Sequence, residues 1–438
     1  MQLLQSLVLL LAGLAATQAM AWENHCLASY RAFENMPEVA AAPSATVETL
    51  DAFLRAEEYT LEALLASQEA WARANIEKYP ARPPALAFKA DGSRSDEVRR
   101  LAFLRALRVA PDSRFALYFQ SDPWSPSAAN AMPEPTAAYR YLALKPGDLV
   151  TALAVLASAT DEPDFALDNN LFEDNASEWG KTYGFGPQPY GNTASASASQ
   201  LPFHSGYLHE SQLVSLALPN IKRSLVLLRF HQYSTLASLA FRTGHGYWGW
   251  RFAGLSLHYL QDLTQPYRAT LAPGESGMRL LSAYALSMSG LSSMKADLLQ
   301  LQANRSLALE KYQTELLQRA ATNKLETALE KALHKSEKDK SYPDWNDRYL
   351  RDVVSLQASR AAPALAQTLV LALPAVYVWD SGFDFAARQA GVHLLAELSR
   401  RDSPELTRLD ASLAELLGNF GAHSRNALRS ILRASNPL

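Results

Sequence analysis

Apolar side chains recur at helical spacing through most of this chain, and this periodicity is the feature that most constrains its fold. Residues three and four apart share one face of a helix, so the pattern predicts helices with one buried face. The segments with this spacing are 47–79, 97–110, 218–244, 245–263 and 291–340. Strand-type alternation is rare. We therefore predict an all-α protein with little sheet.

Other segments break or modify this pattern. Residues 79–94 and 120–136 are rich in Pro and Ala and are predicted to be surface loops. Residues 161–206 form the longest irregular segment, and loops of this length in a compact domain are often functional. The apolar stretch 364–379 contains Pro374, which predicts a buried, kinked helix rather than a membrane anchor.

Composition limits the size of the fold and the class of partner. The 438 residues allow one large domain or two, and their 48% hydrophobic and 19% charged content is enough for a substantial core. The formal net charge of -3 gives no overall basic field for gripping long nucleic acid duplexes. A small phosphate ester held by metal ions remains compatible with this charge.

The N-terminus predicts export. Residues 1–21 contain an apolar run from Leu7 to Ala16 and end in Ala19-Met20-Ala21, as in a signal peptide, although the first residues lack Lys and Arg. Cleavage after Ala21 would make Trp22 the first residue of a secreted or periplasmic protein. Cys26 is the only cysteine, so it cannot form an intramolecular disulfide. A metal-binding role is conceivable, but a small buried apolar residue is the favoured interpretation of this thiol.

One helix carries a pair of potential metal ligands. In "GLSLHYLQDLTQPYRATL", residues 254–271, His258 and Asp262 lie one turn apart and therefore on the same face. The HExxH and paired CxxC signatures of common zinc sites are absent. A single His/Asp pair is weak evidence, because helical proteins contain such pairs by chance.

The surrounding residues make the pair more specific. The segment "WRFAGLSLHYLQDLTQPYRA" resembles a helix of the zinc-dependent phospholipase C and single-strand-specific nuclease superfamily, with its pattern F-x-L-G-x-x-x-H-Y-x-x-D-x-x-Q-P-x-H-A. The matching residues are Gly254, His258, Tyr259, Asp262, Gln265, Pro266 and Ala269, and Phe252 lies one position from the Phe of the pattern. Mature chains of that family begin with a Trp that chelates zinc, and a nearby His adds a ligand. Trp22 and His25 would take these positions here.

The resemblance implies a single enlarged, mostly helical domain over 22–438, with a metal cluster in a cleft. One zinc would be held by His258, Asp262, an Asp and a second His. The Asp would be Asp161, with Asp164 as its rival, and the second His would be His204, with His209 as its rival. The spacing from 161 to 204 is longer than the family's.

A second zinc would be held by the amine and carbonyl of Trp22, by His25 and by a shared Asp262, because a carboxylate has two oxygens. The resemblance implies that two zinc ions lower the pKa of a bridging water, which would then attack phosphorus. Asp161 and Arg268 are the candidate catalytic residues.

The chain departs from the family pattern at the third zinc. Arg268 stands where the family has a His, and Ser306 stands where a second His would precede Glu310. An arginine cannot replace imidazole as a ligand, but it can pair with a carboxylate or a phosphate. Either Arg268, paired to Glu310, supplies a fixed positive charge that clamps a phosphate oxygen, or the third site has decayed.

The expected function is that of a secreted zinc-dependent phosphodiester hydrolase with two zinc ions, or three if the third site survives. A phospholipase C-like activity on a phospholipid or small phosphate ester is favoured, with no transmembrane anchor. A nuclease or 3′-nucleotidase of the same fold, acting on single-stranded nucleic acid, is an alternative. A second alternative is that the protein is a non-catalytic, exported helical binding protein.

Overall fold

Helices form nearly all of the regular structure. A computed structural model of the chain describes residues 25–110, 118–120, 141–399 and 403–435. With 67% helix and 1% strand, it confirms the all-α prediction. The proposed signal peptide and Trp22 lie outside the described residues, as does most of 120–136. No helix in the described ranges combines the length and apolarity needed to cross a membrane.

The helices of the first half of the chain precede and include the motif helix. They are α1 His25–Phe33, α2 Pro37–Ala40, α3 Leu50–Ala56, α4 Glu58–Asn75, α5 Asp96–Leu107, α6 Ala152–Ala159, α7 Glu178–Tyr183, α8 Ala196–Ser199, α9 Leu201–His204, α10 Gln212–Ala217, α11 Val226–Arg242 and α12 Gly246–Leu263.

The helices of the second half include the two longest. They are α13 Pro266–Ala269, α14 Gly277–Met288, α15 Ser293–Asn323, α16 Ala328–His334, α17 Leu356–Ala372, α18 Ala375–Val378, α19 Phe385–Arg388, α20 Leu394–Leu398 and α21 Pro404–Ser435. A π-helical turn, Leu350–Ser355, leads into α17. The 3-10 turns are Pro84–Leu86, Glu162–Asp164, Ser336–Ser341 and Gln389–Gly391.

Two short antiparallel ribbons complete the described secondary structure. Strand β1, Ala45–Thr46, pairs with β4, Leu149–Val150, with Ala45 opposite Val150. Strand β2, Tyr118–Gln120, pairs with β3, Tyr141–Ala143, with Phe119 opposite Leu142.

The motif helix α12 lies at the centre of the fold. All its side chains from Tyr247 to Leu263 are buried, and α6, α9, α11 and α21 pack around it. A helix that is covered on every side belongs to the interior of a large helical protein. His258 and Asp262 are therefore core residues rather than surface residues.

Gly254 permits a close contact between α12 and α6. A Cβ built at this position would lie 2.4 Å from the carbonyl oxygen of Leu156 and 2.6 Å from Cβ of Ala159, both in α6. No side chain fits between the two backbones. The glycine of the motif therefore brings α12 against the helix that leads directly to Thr160 and Asp161.

Several predicted helices are present with different ends. The segment 47–79 divides into α3 and α4 at Glu57, and the segment 291–340 is interrupted at Lys324, where φ is 53°. The helix predicted over 364–379 ends before Pro374, although Pro363 is accommodated inside α17. The motif helix ends as predicted before Pro266, which opens α13.

Candidate metal centre

His258 is held in one tautomer with one nitrogen directed into a buried polar cluster. Its Nδ1 lies 2.6 Å from the carbonyl oxygen of Thr160, which can only accept a hydrogen bond, so Nδ1 carries the proton. Its Nε2 lies 2.9 Å from Nδ1 of His204 and 3.3 Å from Oδ2 of Asp262. A backbone carbonyl that fixes the opposite nitrogen is the usual support of a metal-binding histidine.

Asp262 presents its two oxygens to different histidines. Oδ2 lies 2.8 Å from Nδ1 of His204, next to Nε2 of His258. Oδ1 lies 3.6 Å from Nε2 of His25 and 4.0 Å from Nε of Arg268. The carboxylate is fully buried. Its two oxygens therefore face different sides of the cluster.

His204 is oriented by a residue that the sequence did not reveal, Asp168. Nε2 of His204 lies 3.4 Å from Oδ2 of Asp168, so Nδ1 is the nitrogen that faces Asp262. Asp168 is held in turn by Nη2 of Arg229 at 2.6 Å and by the hydroxyl of Tyr259 at 2.7 Å. The only signal for Asp168 was its place in the acidic part of the irregular segment 161–206.

His25 reaches the cluster from α1. Its Nδ1 lies 2.8 Å from Oε1 of Gln261, whose amide nitrogen donates to Oγ of Ser29 at 2.8 Å. The amide oxygen can only accept, so His25 carries its proton on Nδ1 and directs Nε2 toward Asp262. Gln261 precedes Asp262 on α12, and the sequence did not single it out.

The geometry separates the two aspartates that the sequence left as alternatives. Asp164, on the turn after α6, places Oδ1 3.7 Å from Nε2 of His258, and its side chain is 7% exposed. Asp161 instead accepts a hydrogen bond of 2.8 Å from the backbone N–H of Cys26, next to His25. Asp161 thus anchors α1 beside the cluster, and its role as a ligand stays a prediction.

The two histidine alternatives are also separated. His204 is buried in the cluster, whereas Nε2 of His209 lies 2.7 Å from the carbonyl oxygen of Arg351. Two groups among the described residues could hold an ion, with candidate ligand atoms within 4.8 Å of one another. One is His25, Asp164 and His258, and the other is His204, His258 and Asp262.

The three positions assigned to the third zinc lie together. Nη2 of Arg268 is 3.5 Å from Oε1 of Glu310, and Oγ of Ser306 donates to the same oxygen at 3.3 Å. Arg268 therefore lies between the carboxylates of Asp262 and Glu310. The predicted pairing of Arg268 with Glu310 agrees with this distance.

Burial and charge distribute the protons of the cluster unevenly. Burial lowers the pKa of His258 to about 3, with the charge of His25 acting in the same direction. Burial also disfavours protonation of His204, but its bonds to Asp168 and Asp262 outweigh this and raise its pKa to about 9. Burial raises the pKa of Asp164 to about 8, against the charges of His25 and His204. These pKa values favour a proton on His204 and on Asp164 and a neutral His258 near pH 7.

The donor set fits a zinc ion. Zinc prefers imidazole nitrogen and carboxylate oxygen at about 2.0–2.2 Å, which places two tetrahedral ligand atoms about 3.3 Å apart. The three atoms of His204, His258 and Asp262 lie 2.8–3.3 Å from one another, so small outward shifts would admit an ion. Cys26 is buried, and burial raises the pKa of its thiol, which favours the predicted apolar role.

No protein-family model, curated protein or solved structure matches this chain.

Proposed function

We propose that this cluster is a zinc centre and that the protein is a secreted zinc-dependent phosphodiester hydrolase of the phospholipase C-like type. The observation that carries the proposal is the buried Asp262 carboxylate, whose two oxygens face different histidines. A buried ionised carboxylate needs opposite charge close to it, and divalent cations supply that charge.

In this proposal the residues of the cluster bind two zinc ions. His204, His258 and Asp262 would hold one, and His25 and Asp262 would hold the other together with the amine and carbonyl of Trp22. Asp164 is a further ligand by position, and Asp161 remains the alternative suggested by the resemblance. Zinc ions bound here would supply the Lewis acidity that activates water for attack on phosphorus near neutral pH.

The third-site residues support the same resemblance. Positions 268, 306 and 310 were aligned from sequence order alone, and the side chains of Arg268 and Ser306 each lie within 3.5 Å of the Glu310 carboxylate. In the proposal, Arg268 replaces the third ion with a fixed positive charge beside Asp262. Such a guanidinium can bind a phosphate oxygen and stabilise negative charge that develops on it.

A second candidate function has its own supporting observation. His25, His204, His258 and Asp262 are all fully buried. A zinc ion in such a place can serve as a structural cross-link between α1, α9 and α12, without catalysis. In this alternative the protein is a non-catalytic helical binding protein.

One experiment separates these functions. The purified mature protein is assayed for bound zinc and for turnover of a chromogenic phosphocholine ester and of single-stranded DNA. The test variant is Asp262→Asn, and the matched control is His209→Asn, because His209 contacts the Arg351 carbonyl instead of the cluster.

Two zinc ions and ester turnover in wild type and control, with both lost in Asp262→Asn, would support the hydrolase. Zinc without turnover of either substrate would favour the structural role, and absence of zinc would reject both. Mass spectrometry of the exported protein tests the predicted signal-peptide cleavage, since the proposal requires Trp22 as the first residue of the mature protein.

A further inference from the structure

Helices α14 and α15 form a hairpin whose tip is apolar and exposed. From Leu280 to Met294 the sequence contains no charged residue. At the tip, Met288 is 90% exposed and Leu291 is 62% exposed, and Leu286 and Met294 are also exposed. Large apolar side chains clustered in water mark a surface that binds another apolar surface.

The hairpin has its own packing and a hydrogen-bonded turn. Its helices contribute to a small satellite core of Val214, Ala272, Leu280, Ala283 and Leu298, separate from the main core. The backbone N–H of Leu291 donates to the carbonyl of Leu286 at 2.9 Å, across a turn where Gly290 has φ 90°. Backbone polar groups at the tip are thus partly satisfied internally, which lowers the cost of placing the tip in an apolar medium.

A polar layer lies directly behind the apolar tip. Tyr284 is one helical turn before Met288, and Nζ of Lys295 lies 4.5 Å from the centroid of its ring. Tyrosine and lysine place an apolar body among lipid chains and a polar end at the headgroups. Lys295 is the charged residue nearest the turn, and its positive charge is complementary to the negative charge of a lipid phosphate. Arg279 and Asp297 lie further from the turn and carry opposite charges.

We propose that this tip, defined as Leu286, Met288, Leu291 and Met294, docks the protein onto a zwitterionic phospholipid surface. From the tip inward, the apolar side chains, the Tyr284–Lys295 layer and the polar body of the protein follow one another. This order is the same as that of acyl chains, headgroups and water in a membrane. Nucleic acid would require a row of basic side chains, and the tip has none. The inference rests on the proposed function and narrows its substrate to phospholipid in an aggregated surface.

The test is sedimentation with phosphatidylcholine vesicles. We compare wild type with Leu286→Ser/Met288→Ser and with Leu291→Ser/Met294→Ser, on opposite sides of the turn. The matched control is Leu149→Ser/Leu371→Ser, which removes two exposed leucines elsewhere. Each tip pair should lower the vesicle partition coefficient about tenfold or more, because two apolar side chains are no longer buried. The control should remain within about twofold of wild type.

Three results would overturn the proposal. In the first, the wild-type protein does not bind vesicles. In the second, the tip variants bind vesicles as well as the wild type does. In the third, sedimentation velocity without vesicles shows a dimer that the tip substitutions dissociate. The last would identify a second copy of the chain as the occupant.

Turnover of a soluble phosphocholine ester, measured on the same preparations, tests the proposed function separately. Intact turnover with no vesicle binding would reject the docking surface alone. Vesicle binding without turnover would reject the hydrolase alone.

Discussion

Substitution of Gly254 by alanine tests whether the close contact between α12 and α6 builds the site. In an exposed helix, Gly→Ala stabilises by about 1 kcal/mol. Here the new Cβ would lie 2.4 Å from the Leu156 carbonyl oxygen, so one backbone must move by at least 0.6 Å to reach 3.0 Å. Overpacking costs about 1–3 kcal/mol, and rigid backbone places this contact at the upper end. The free energy of unfolding should therefore fall by about 2 kcal/mol in Gly254→Ala.

The same movement should weaken metal binding. Leu156 and Ala159 lead to Thr160, whose carbonyl holds His258 by a 2.6 Å hydrogen bond. Urea unfolding gives the stability, and competition with a chromogenic chelator gives the zinc affinity.

The matched control for Gly254→Ala is Gly246→Ala in the same helix, where no atom beyond the adjacent residues and the helix's own backbone lies within 4 Å of the added Cβ. It should unfold at the same or a higher urea concentration than wild type and keep its zinc. If Gly254→Ala proved as stable as this control, the packing argument would be wrong.

Three further predictions concern the cluster and the core. Asp168→Asn should lower zinc affinity by about 10–100-fold, because His204 loses the carboxylate that orients it; chelator competition that gave an unchanged affinity would assign Asp168 a purely structural role. Arg268→His combined with Ser306→His should raise the zinc content by one ion per chain by metal analysis, and an unchanged count would show that these positions cannot rebuild a third site. His423→Gln should reduce the loss of the free energy of unfolding that occurs as the pH falls below neutral. Burial lowers the pKa of His423 to about 3 from 6.5, so the unfolded chain gains a proton that the native protein refuses as the pH falls between these values. The contribution of neutral, buried His423 to the free energy of unfolding is therefore fully present above about pH 6.5. Below this pH it declines by up to about 1.4 kcal/mol per pH unit. Urea titrations at pH 7 and pH 5 measure this slope, and equal slopes in variant and wild type would contradict the assignment.

The local chemistry of the motif was predictable from sequence. The spacing of His258 and Asp262 places both on one helix face, and Pro266 ends that helix, as observed. These features depend on helix geometry and proline sterics, which act over a few residues. The same reasoning missed the break at Glu57, and it allowed one break within 291–340 without placing it at Lys324.

The choice between rival ligands was not predictable from sequence. Asp161 and Asp164 are three residues apart in one turn, and only the path of that turn beneath α12 decides which carboxylate faces His258. Order along the chain likewise could not distinguish His204 from His209. His204 is selected because α9 is packed inside the fold, where Asp168 orients its ring.

The sequence by itself determined an all-α protein, the His258/Asp262 pair and the positions of Arg268 and Glu310, because helix periodicity and motif spacing are local properties. The tertiary structure decided which distant residues join them. Hydrogen bonds between buried groups far apart in the chain link Arg229 to Asp168, Asp168 to Tyr259 of the motif, and His25 to Gln261 of the motif. A buried charge or amide must find a partner wherever the fold places one, and no local pattern in the sequence records that partner.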